Sequence, residues 1–209
     1  DGLFTSGSFT FEGLYDWEHG YLGSPESLVR LNVTGSTAPS TKESVVMNLV
    51  GTSTRLDLFI SDSPTSTNTK RLFLTGSLVN VFDKDVWYIS FGRRAPHDFG
   101  KGSTARYEYF LRAAKQEGGR IINFFHTSSH YASHADSVFN NATDTFNTSG
   151  SFFVIGEQSF QAGSSGKFLN DSSSGGVDTL AHSSSFTGLV SNLRFWSRYT
   201  TDTEWKERA

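Results

Sequence analysis

The sequence predicts an all-β protein that folds as a sandwich of two antiparallel sheets. Short runs of alternating apolar and polar residues recur about every 10 to 20 residues, and Gly, Ser, Asn or Pro separates each run from the next. No long segment shows the period of about 3.6 residues that marks an amphipathic helix. Many short strands joined by polar turns are typical of β-sandwiches.

The first run, residues 9 to 17, shows the alternation most clearly. Its apolar side chains occupy odd positions: Phe9, Phe11, Tyr15 and Trp17. The polar and acidic side chains occupy even positions and continue just past the run: Thr10, Glu12, Asp16 and Glu18. Successive side chains of a strand point to opposite faces, so we expect the odd face on a core and the even face in water.

Further strands are predicted along the whole chain. In order, the predicted segments are 27–35, 53–62, 70–76, 85–92, 105–125, 150–158 and 186–196. The segment 105–125 is expected to hold two strands joined at Gln116 to Gly119, although Tyr107 to Lys115 could instead form a short helix. The predicted core contains Phe9, Phe11, Leu31, Leu58, Ile60, Trp87, Ile89, Phe91, Leu193 and Phe195.

Two stretches are predicted to be loops from their composition. Residues 137 to 150 are rich in Asn and Thr, and residues 163 to 185 are rich in Ser and Gly. We expect any recognition on rim loops, chiefly 126 to 150 and 163 to 185, because such loops offer many donors and acceptors. No repeat or composition break divides the chain, so residues 1–209 are predicted to form one domain, as a segment of a longer protein.

Composition argues against several function classes. The formal net charge is −3, which gives no electrostatic footprint for nucleic acid. No apolar run approaches about 18 residues, so no membrane insertion is expected. The absence of cysteine favours a prokaryotic or viral origin over a secreted vertebrate one. No P-loop, dinucleotide fingerprint, nucleophile elbow or Cys/His metal motif is present, so no cofactor is predicted.

The C-terminal segment "FTGLVSNLRFWSRYTTDTEWKE" is the most specific part of the sequence. It resembles the closing strand of laminin-G-like, concanavalin-A-like jelly rolls, which a short acidic turn of helix follows. The matching positions are Phe186, Gly188, Val190, Leu193, Arg194, Phe195 and Trp196. Thr201 and Glu204 have the spacing of a capping box at the start of that helix. The run from Leu193 onward is also similar to lamG-type domains in structural proteins of tailed bacteriophages.

Other parts of the chain resemble the same family: "SFTFEGLY" its opening strand, "DVWYISFG" a central strand and "FFVIGEQ" its penultimate strand. The resemblance implies a single concanavalin-A-like β-sandwich (jelly roll), with the strand near 8 to 17 beside the strand near 186 to 197. Animal laminin-G modules usually carry a late disulfide and an acidic calcium site. This sequence has no cysteine and no convincing set of calcium ligands, so no metal site is predicted.

The resemblance implies a non-catalytic adhesion or structural module of a virus or phage particle, able to bind host-surface glycans. The alternatives are a secreted or cell-surface carbohydrate-binding domain and a glycoside hydrolase. The expected partners are a glycan or host-surface receptor and other virion proteins. The expected location is the virion, or the extracellular space under the first alternative. Because several copies raise avidity without new contacts, we also expect a homo-oligomer or a part of a larger assembly.

The carboxylates of the first run bear on the hydrolase alternative. Laminarinase-type enzymes of the same superfamily carry E-x-D-x-x-E or E-x-D-x-E on one strand, because two carboxyls must flank one glycosidic bond. Here Leu14 stands where a second acid is needed, and Glu12 and Asp16 are about 13 Å apart along a strand. Asp16 and Glu18 could approach within about 7 Å, but the strand is ending there. We therefore predict a solvated carboxylate face and no enzyme.

The segment "HTSSHYASH" spaces three histidines four residues apart: His126, His130 and His134. On a helix, neighbouring members of this set could share a zinc ion. On a strand they span about 26 Å, too far for one ion. Ser and Thr crowd the segment, which favours a polar rim loop.

Aromatic rings on loops would suit a glycan-binding surface, because the C–H faces of sugars pack on rings while their hydroxyls find polar partners. The candidate ligand-binding residues are Trp17, His19, His130 and Tyr131. Trp17 shares its parity with Phe9 and Phe11, so a place in the core is the alternative for that side chain.

Overall fold

The computed structural model describes residues 8–23, 26–33, 44–61, 71–77, 80–95, 108–130, 151–156 and 184–209. Within these ranges the chain is mostly strand, with a short helix near the C-terminus. The strands are β1 (Phe9–Asp16), β2 (Glu26–Val33), β3 (Ser44–Gly51), β4 (Arg55–Ser61), β5 (Arg71–Ser77), β6 (Val86–Arg94), β7 (Glu108–Glu117), β8 (Arg120–His130), β9 (Ser151–Ile155), β10 (Ser184–Ser185) and β11 (Leu189–Trp196). The helix is α1 (Asp202–Lys206).

The strands form two sheets that pack face to face. The five-stranded sheet has the order β11–β1–β6–β7–β8 and is antiparallel throughout. The six-stranded sheet has the order β10–β2–β3–β4–β5, and β9 also pairs with β2. Its pairs are antiparallel except for the two-residue bridge between β10 and β2. The predicted β-sandwich of two antiparallel sheets with a short C-terminal helix is confirmed.

The opening strand lies beside the closing strand, as the family resemblance implies. In the register of the five-stranded sheet, Phe11 of β1 stands between Phe195 of β11 and Phe91 of β6. The rings of Phe11 and Phe91 are 5.2 Å apart between centroids, and those of Phe9 and Phe195 stack at 5.8 Å. These aromatic contacts hold the centre of the sheet against the core.

The main core fills the space between the two sheets. Of the predicted core residues, six are buried in it: Phe9, Phe11, Leu58, Trp87, Ile89 and Phe91. Phe195 is partly buried and packs against this core. Leu31 and Ile60 lie in β2 and β4, but their side chains are outside the part of the structure that is described.

The prediction for Leu193 is wrong, because this side chain is 40% exposed. β11 contains one residue more than β1 between the pairs Glu12–Arg194 and Leu14–Ser191, and Asn192 there has a positive φ of 51°. Such a bulge shifts the alternation of a strand by one position. Val190 and Phe195 therefore both face the core, and Leu193 instead lies over Gly13, where a Cβ added to the glycine would come within 2.7 Å of the leucine Cδ2.

The hairpin of β7 and β8 excludes the short helix considered for Tyr107 to Lys115, since Glu108–Glu117 is strand. The turn is made by Gly118 and Gly119, with positive φ values of 57° and 76°. Two consecutive residues with positive φ form the turn that matches the natural twist of a hairpin. β8 also contains an extra residue, Ile122, between the pairs Lys115–Asn123 and Gln116–Ile121.

Two other features differ from the sequence expectation. β3 is a full strand of the six-stranded sheet that the alternation did not predict. The rim loop expected at 126 to 150 begins later, because residues 126 to 130 belong to β8, and residues 184 to 185 of the second expected loop form β10. The remaining parts of both loops, 131–150 and 163–183, lie outside the described residues.

The helix α1 begins with the predicted capping box. The side chain of Thr201 accepts from the backbone N–H of Glu204, and the carboxylate of Glu204 accepts from the backbone N–H of Thr201 at 2.8 Å. Two exposed amides of the helix start are thereby satisfied. Across the described ranges, this chain has no helix with the length and hydropathy to cross a membrane.

Candidate functional site

The even face of β1 is not solvated as predicted. Thr10 and Glu12 are both fully buried, because the C-terminal segment 197–209 lies across the outer face of the five-stranded sheet. Thr10 donates to the carbonyl of Arg198 at 2.9 Å and accepts from the N–H of Thr200 at 3.1 Å. The face predicted for water is thus covered by the chain itself.

Glu12 is at the centre of this contact. Arg208 donates to both oxygens of its carboxylate, at 3.0 Å from Nε and 3.1 Å from a terminal nitrogen. The indole N–H of Trp196 donates to Oε1 at 2.9 Å, and Arg194 is 3.6 Å away. A paired arginine fork is the geometry that satisfies a buried carboxylate best.

These contacts set the ionisation of Glu12. Burial alone would raise the pKa of its carboxyl, but the hydrogen bonds from Arg208 and Trp196 outweigh it and hold the pKa below its usual value. The neighbouring hydroxyl of Tyr88 shows the opposite effect, since burial together with the Glu12 charge raises its pKa to about 12. Glu12 is therefore a fixed anion, and a proton donor for a leaving group would need a raised pKa.

The other two carboxylates of the opening segment do not join Glu12. Asp16 is half-buried at the end of β1, and Glu18 is exposed in the loop that follows. Leu14 stands between Glu12 and Asp16 at the same strand parity and packs against the cluster of Tyr88, Ala114 and Trp205. The described residues around Glu12 thus contain a structural ion pair and not a pair of free acids.

A second cluster, which we term the outer cluster, forms where α1 meets the sheet. Its buried members are Tyr88, Ala114 and Trp205, with Leu14, Ile121, Phe124 and Ala209 packed against them. The rings of Tyr88 and Trp205 stack with centroids 5.2 Å apart and planes 7° from parallel. The stack anchors α1 on the sheet.

Arg112 is a fully buried cation at the edge of the outer cluster. It donates to the carbonyl of Thr200 at 2.9 Å and to the carboxylate of Asp202 at 3.0 Å. Its guanidinium lies 5.3 Å from the ring centroid of Trp205. Burial lowers the pKa of Arg112, and the charge of Asp202 partly offsets this effect.

The histidine series is divided between different surroundings. His126 lies in β8 with Nδ1 at 2.9 Å from the Asp202 carboxylate, beside Arg112. His130 ends β8, but its side chain lies outside the described part, and His134 is outside it altogether. In the described ranges, no three His, Cys, Asp or Glu side chains come close enough to hold a metal ion.

Trp17 is fully buried and belongs to the main core, so the prediction that its ring contacts a ligand is corrected to the alternative. Its ring packs edge-on against Phe186 at 5.1 Å and against Phe82 at 5.8 Å. The odd parity that Trp17 shares with Phe9 and Phe11 explains this position.

His19 is partly exposed and lies at one end of the sandwich, which we call the His19 rim and define as residues 17–23, 80–85 and 186–188. Its Nδ1 is 2.7 Å from the carbonyl of Gly20, and its Nε2 is 2.7 Å from the carbonyl of Thr187. Nε2 is also 3.3 Å from the carboxylate of Glu26. His19 therefore ties the loop after β1 to the turn before β11.

Glu26 lies buried beneath the His19 rim. It accepts from the backbone N–H of Thr187 at 3.2 Å. Burial raises the pKa of Glu26, while the bond from Thr187 and the nearness of His19 work against this rise. Glu26 thus supports the same turn that His19 holds.

The strand directions place His19 and His130 at opposite ends of the sandwich. β1 ends next to the start of β6 and the end of β7, which places His19 at that end of the sandwich. β8 runs away from this end, and His130 pairs with Glu108 at the opposite one. Tyr131 lies outside the described residues.

The sequence did not predict the partners of Glu12. Arg208 is 196 residues away, and nothing in the alternation of β1 points to it. One signal was present: a short acidic helix that carries Trp205 must bury that ring against some surface. The even face of β1 and its neighbours was the surface to consider.

The fold is that of the all-β sandwich proteins. The sequence matches no protein-family model and no curated protein. Among solved structures, it is similar to the full-length tailspike protein 2 of an Escherichia coli O157:H7 bacteriophage, with 12% identity and a TM-score of 0.49 over 98% of this chain and 22% of that one. The chain is also similar to the enzymatically active domain of bacteriophage CBA120 tailspike protein 2. The sequence identity is 13% and the TM-score 0.48, and the match covers 97% of this chain and 24% of that one. A heptameric SAP-like pentraxin from Limulus polyphemus is similar with 11% sequence identity and a TM-score of 0.40. That match covers 95% of this chain and 68% of the pentraxin chain. This chain thus spans less than a quarter of either tailspike chain.

Proposed function

We propose that the protein is a non-catalytic adhesion or structural module of a virus or phage particle that binds a glycan on the host surface. The observation that carries the proposal is the state of Glu12. This residue stands where the resemblance to glycosidases would require a reacting acid, and Arg208 and Trp196 occupy its carboxylate instead. Because the carboxylate of Glu12 is engaged in stabilising the fold, recognition is assigned to the loops at the rims of the sandwich.

The location on a particle rests on the sequence. The C-terminal segment is the part most similar to lamG-type domains of phage structural proteins, and the chain has no cysteine. The same segment covers the five-stranded sheet through Trp205 and Arg208, so it is integral to the fold. We propose residues 1–209 as one module of a longer virion protein.

The test begins with a glycan array probed with the fluorescently labelled chain. We expect binding to a restricted set of glycans, with dissociation constants in the micromolar range or higher. Each bound glycan is then incubated with the protein, and new reducing ends are measured alongside the Asp16→Asn and Glu18→Gln variants. We expect no release of reducing ends from any of the three proteins.

The outcomes separate the alternatives. Reducing ends that appear with the parent and vanish with either variant would establish a glycoside hydrolase. Binding to glycans found only on animal cells would favour the secreted carbohydrate-binding domain over a phage module. No binding to any glycan would refute the recognition part of the proposal.

We also propose that the module works in several copies, as a homo-oligomer or fixed to a larger particle. A module that binds each glycan weakly gains avidity when several linked copies bind together, because linkage raises the effective concentration. Light scattering on the isolated chain tests the first form. A monomer would assign the multiplicity to the parent assembly.

A further inference from the structure

Tyr21 and Leu22 form a small exposed apolar patch on the His19 rim. Tyr21 is 37% exposed and Leu22 is 75% exposed, in a loop that the core residue Trp17 begins. An exposed leucine alone needs no explanation, but an aromatic ring next to it on a loop end is a common feature of recognition surfaces.

The ring of Tyr21 is supported from below by a continuous series of aromatic contacts. It packs edge-on against Phe82 at 5.2 Å, and Phe82 packs against Trp17 at 5.8 Å. Trp17 in turn contacts Phe186 at 5.1 Å, which contacts Tyr15 at 5.6 Å. The exposed ring is thus connected to the main core, so little side-chain freedom remains to be lost when a ligand binds.

His19 holds the loop that carries Tyr21. Both of its ring nitrogens already contact backbone carbonyl oxygens, those of Gly20 and Thr187. Its polar atoms are therefore engaged within the protein, and we assign His19 the role of positioning this loop.

One exposed carboxylate lies close to the patch along the chain. The carboxylate of Glu18, three residues before Tyr21, is exposed and can accept hydrogen bonds from hydroxyls. The patch itself consists of two side chains, far smaller than the surface of about 800 Å² that each partner of a stable protein complex contributes. Its size and chemistry suit one sugar ring, whose C–H face packs on an aromatic ring while its hydroxyls meet an acceptor.

We propose that Tyr21 is the stacking residue of the glycan site, with Leu22 as its apolar neighbour. This inference rests on the proposed glycan binding and places it on the His19 rim, at the end of the sandwich opposite His130. The ligand class is a pyranose unit at the end or within the chain of a surface polysaccharide.

The experiment uses the tightest glycan from the array and isothermal titration of four variants. Tyr21→Ala is expected to weaken binding about three- to tenfold, the usual worth of one ring stack, while Tyr21→Phe keeps the ring and is expected to bind as the parent does. Leu22→Asp, at a more exposed position, is expected to weaken binding without affecting the fold. Ile122→Asp is the matched control, since Ile122 is also an exposed apolar residue but lies on β8, three strands away from β1.

The outcomes distinguish this inference from the function on which it rests. If the parent binds a glycan and both Tyr21→Ala and Leu22→Asp bind it equally well, the site is elsewhere and only this inference fails. If Tyr21→Phe loses as much affinity as Tyr21→Ala, the hydroxyl and not the ring makes the contact, which refutes stacking. If the parent binds no glycan, the proposed function fails and this inference fails with it.

Discussion

One face of the five-stranded sheet packs against the six-stranded sheet, and the other packs against the C-terminal segment. The first contact is the main core, made largely of hydrocarbon and aromatic side chains such as Phe11 and Phe91. The second is formed by the outer cluster, with its stack of Tyr88 and Trp205, and by two buried ions beside it, Glu12 and Arg112. Both faces of β1 are therefore buried, but by different kinds of interaction.

The difference shows what each kind of burial requires. An apolar face is stabilised by any close-packed neighbour, since the hydrophobic effect has no direction. A face with buried charges is stable only when particular partners arrive in a particular geometry, because each unpaired ion costs several kcal/mol. We therefore expect conservative changes in the main core to lower the free energy of unfolding only slightly. Removal of one partner of a buried ion on the other face should lower it markedly.

The largest effect is expected from a cavity in the main core. Phe91 is fully buried and contacts Phe11. We expect Phe91→Ala to lower the free energy of unfolding by about 3–5 kcal/mol, measured by denaturant titration. Phe91→Leu is the control, for which we expect a smaller loss. Equal losses for the two variants would show that packing volume does not decide the stability of this core.

Removing the charge of Glu12 should come next. Glu12→Gln leaves Arg208, which is only partly exposed, without its anion, and we expect a loss of about 2 kcal/mol in the free energy of unfolding. Glu18→Gln makes the same change at the same strand parity but at an exposed position, so we expect a change within about 0.5 kcal/mol. Similar values for the two variants in denaturant titration would contradict the difference between the covered and the exposed part of this face.

A smaller effect is expected at the start of α1. Thr201→Ala removes the acceptor for the N–H of Glu204 and should cost about 1 kcal/mol. Thr201→Ser keeps the hydroxyl and should retain most of the stability. Differential scanning calorimetry on the three proteins would measure the shift, and a larger loss for Ser than for Ala would refute the capping role.

The smallest effect should appear in acid. The hydrogen bonds from Arg198 and from the Thr201 backbone lower the pKa of Glu204 to about 2, from a usual value of 4.5. Its contribution is therefore fully present above about pH 4.5 and is lost as the pH falls towards 2. Because Glu204 is more than a third exposed, solvent screening reduces this contribution to less than the Thr201→Ala effect.

The measurement is the stability difference between the parent and Glu204→Gln at two pH values. We expect the parent to be the more stable protein at pH 7 and the difference to shrink at pH 2.5. A difference that stays constant across this range would mean that the Glu204 carboxylate does not stabilise the capping box through its charge.

The sequence predicted those parts of the fold that short segments determine. β1, β6 and the capping box of Thr201 and Glu204 each follow from residues within a few positions of one another. β3 was missed because its apolar residues are nearly continuous and lack the alternation that marks a half-exposed strand. Leu193 was misplaced because alternation cannot reveal an extra residue in β11.

The candidate site was harder to predict because it depends on distant residues. The burial of Glu12 is due to Trp196 and Arg208, which are 184 and 196 residues away along the chain. His19 and His130 looked alike as histidines on loops, but strand direction separates them to opposite ends of the sandwich. Parity assigned Trp17 to one face correctly, and only the structure decided between core and ligand contact.

The two bulges of the five-stranded sheet lie on its edge strands, where a strand of another molecule could pair. β8 and β11 are its outermost strands, and each contains one extra residue, at Ile122 and at Asn192. A strand with an extra residue cannot keep the hydrogen-bond register of a further strand along its full length. The bulges therefore disfavour pairing of a strand from another copy along these two described edges of the sheet.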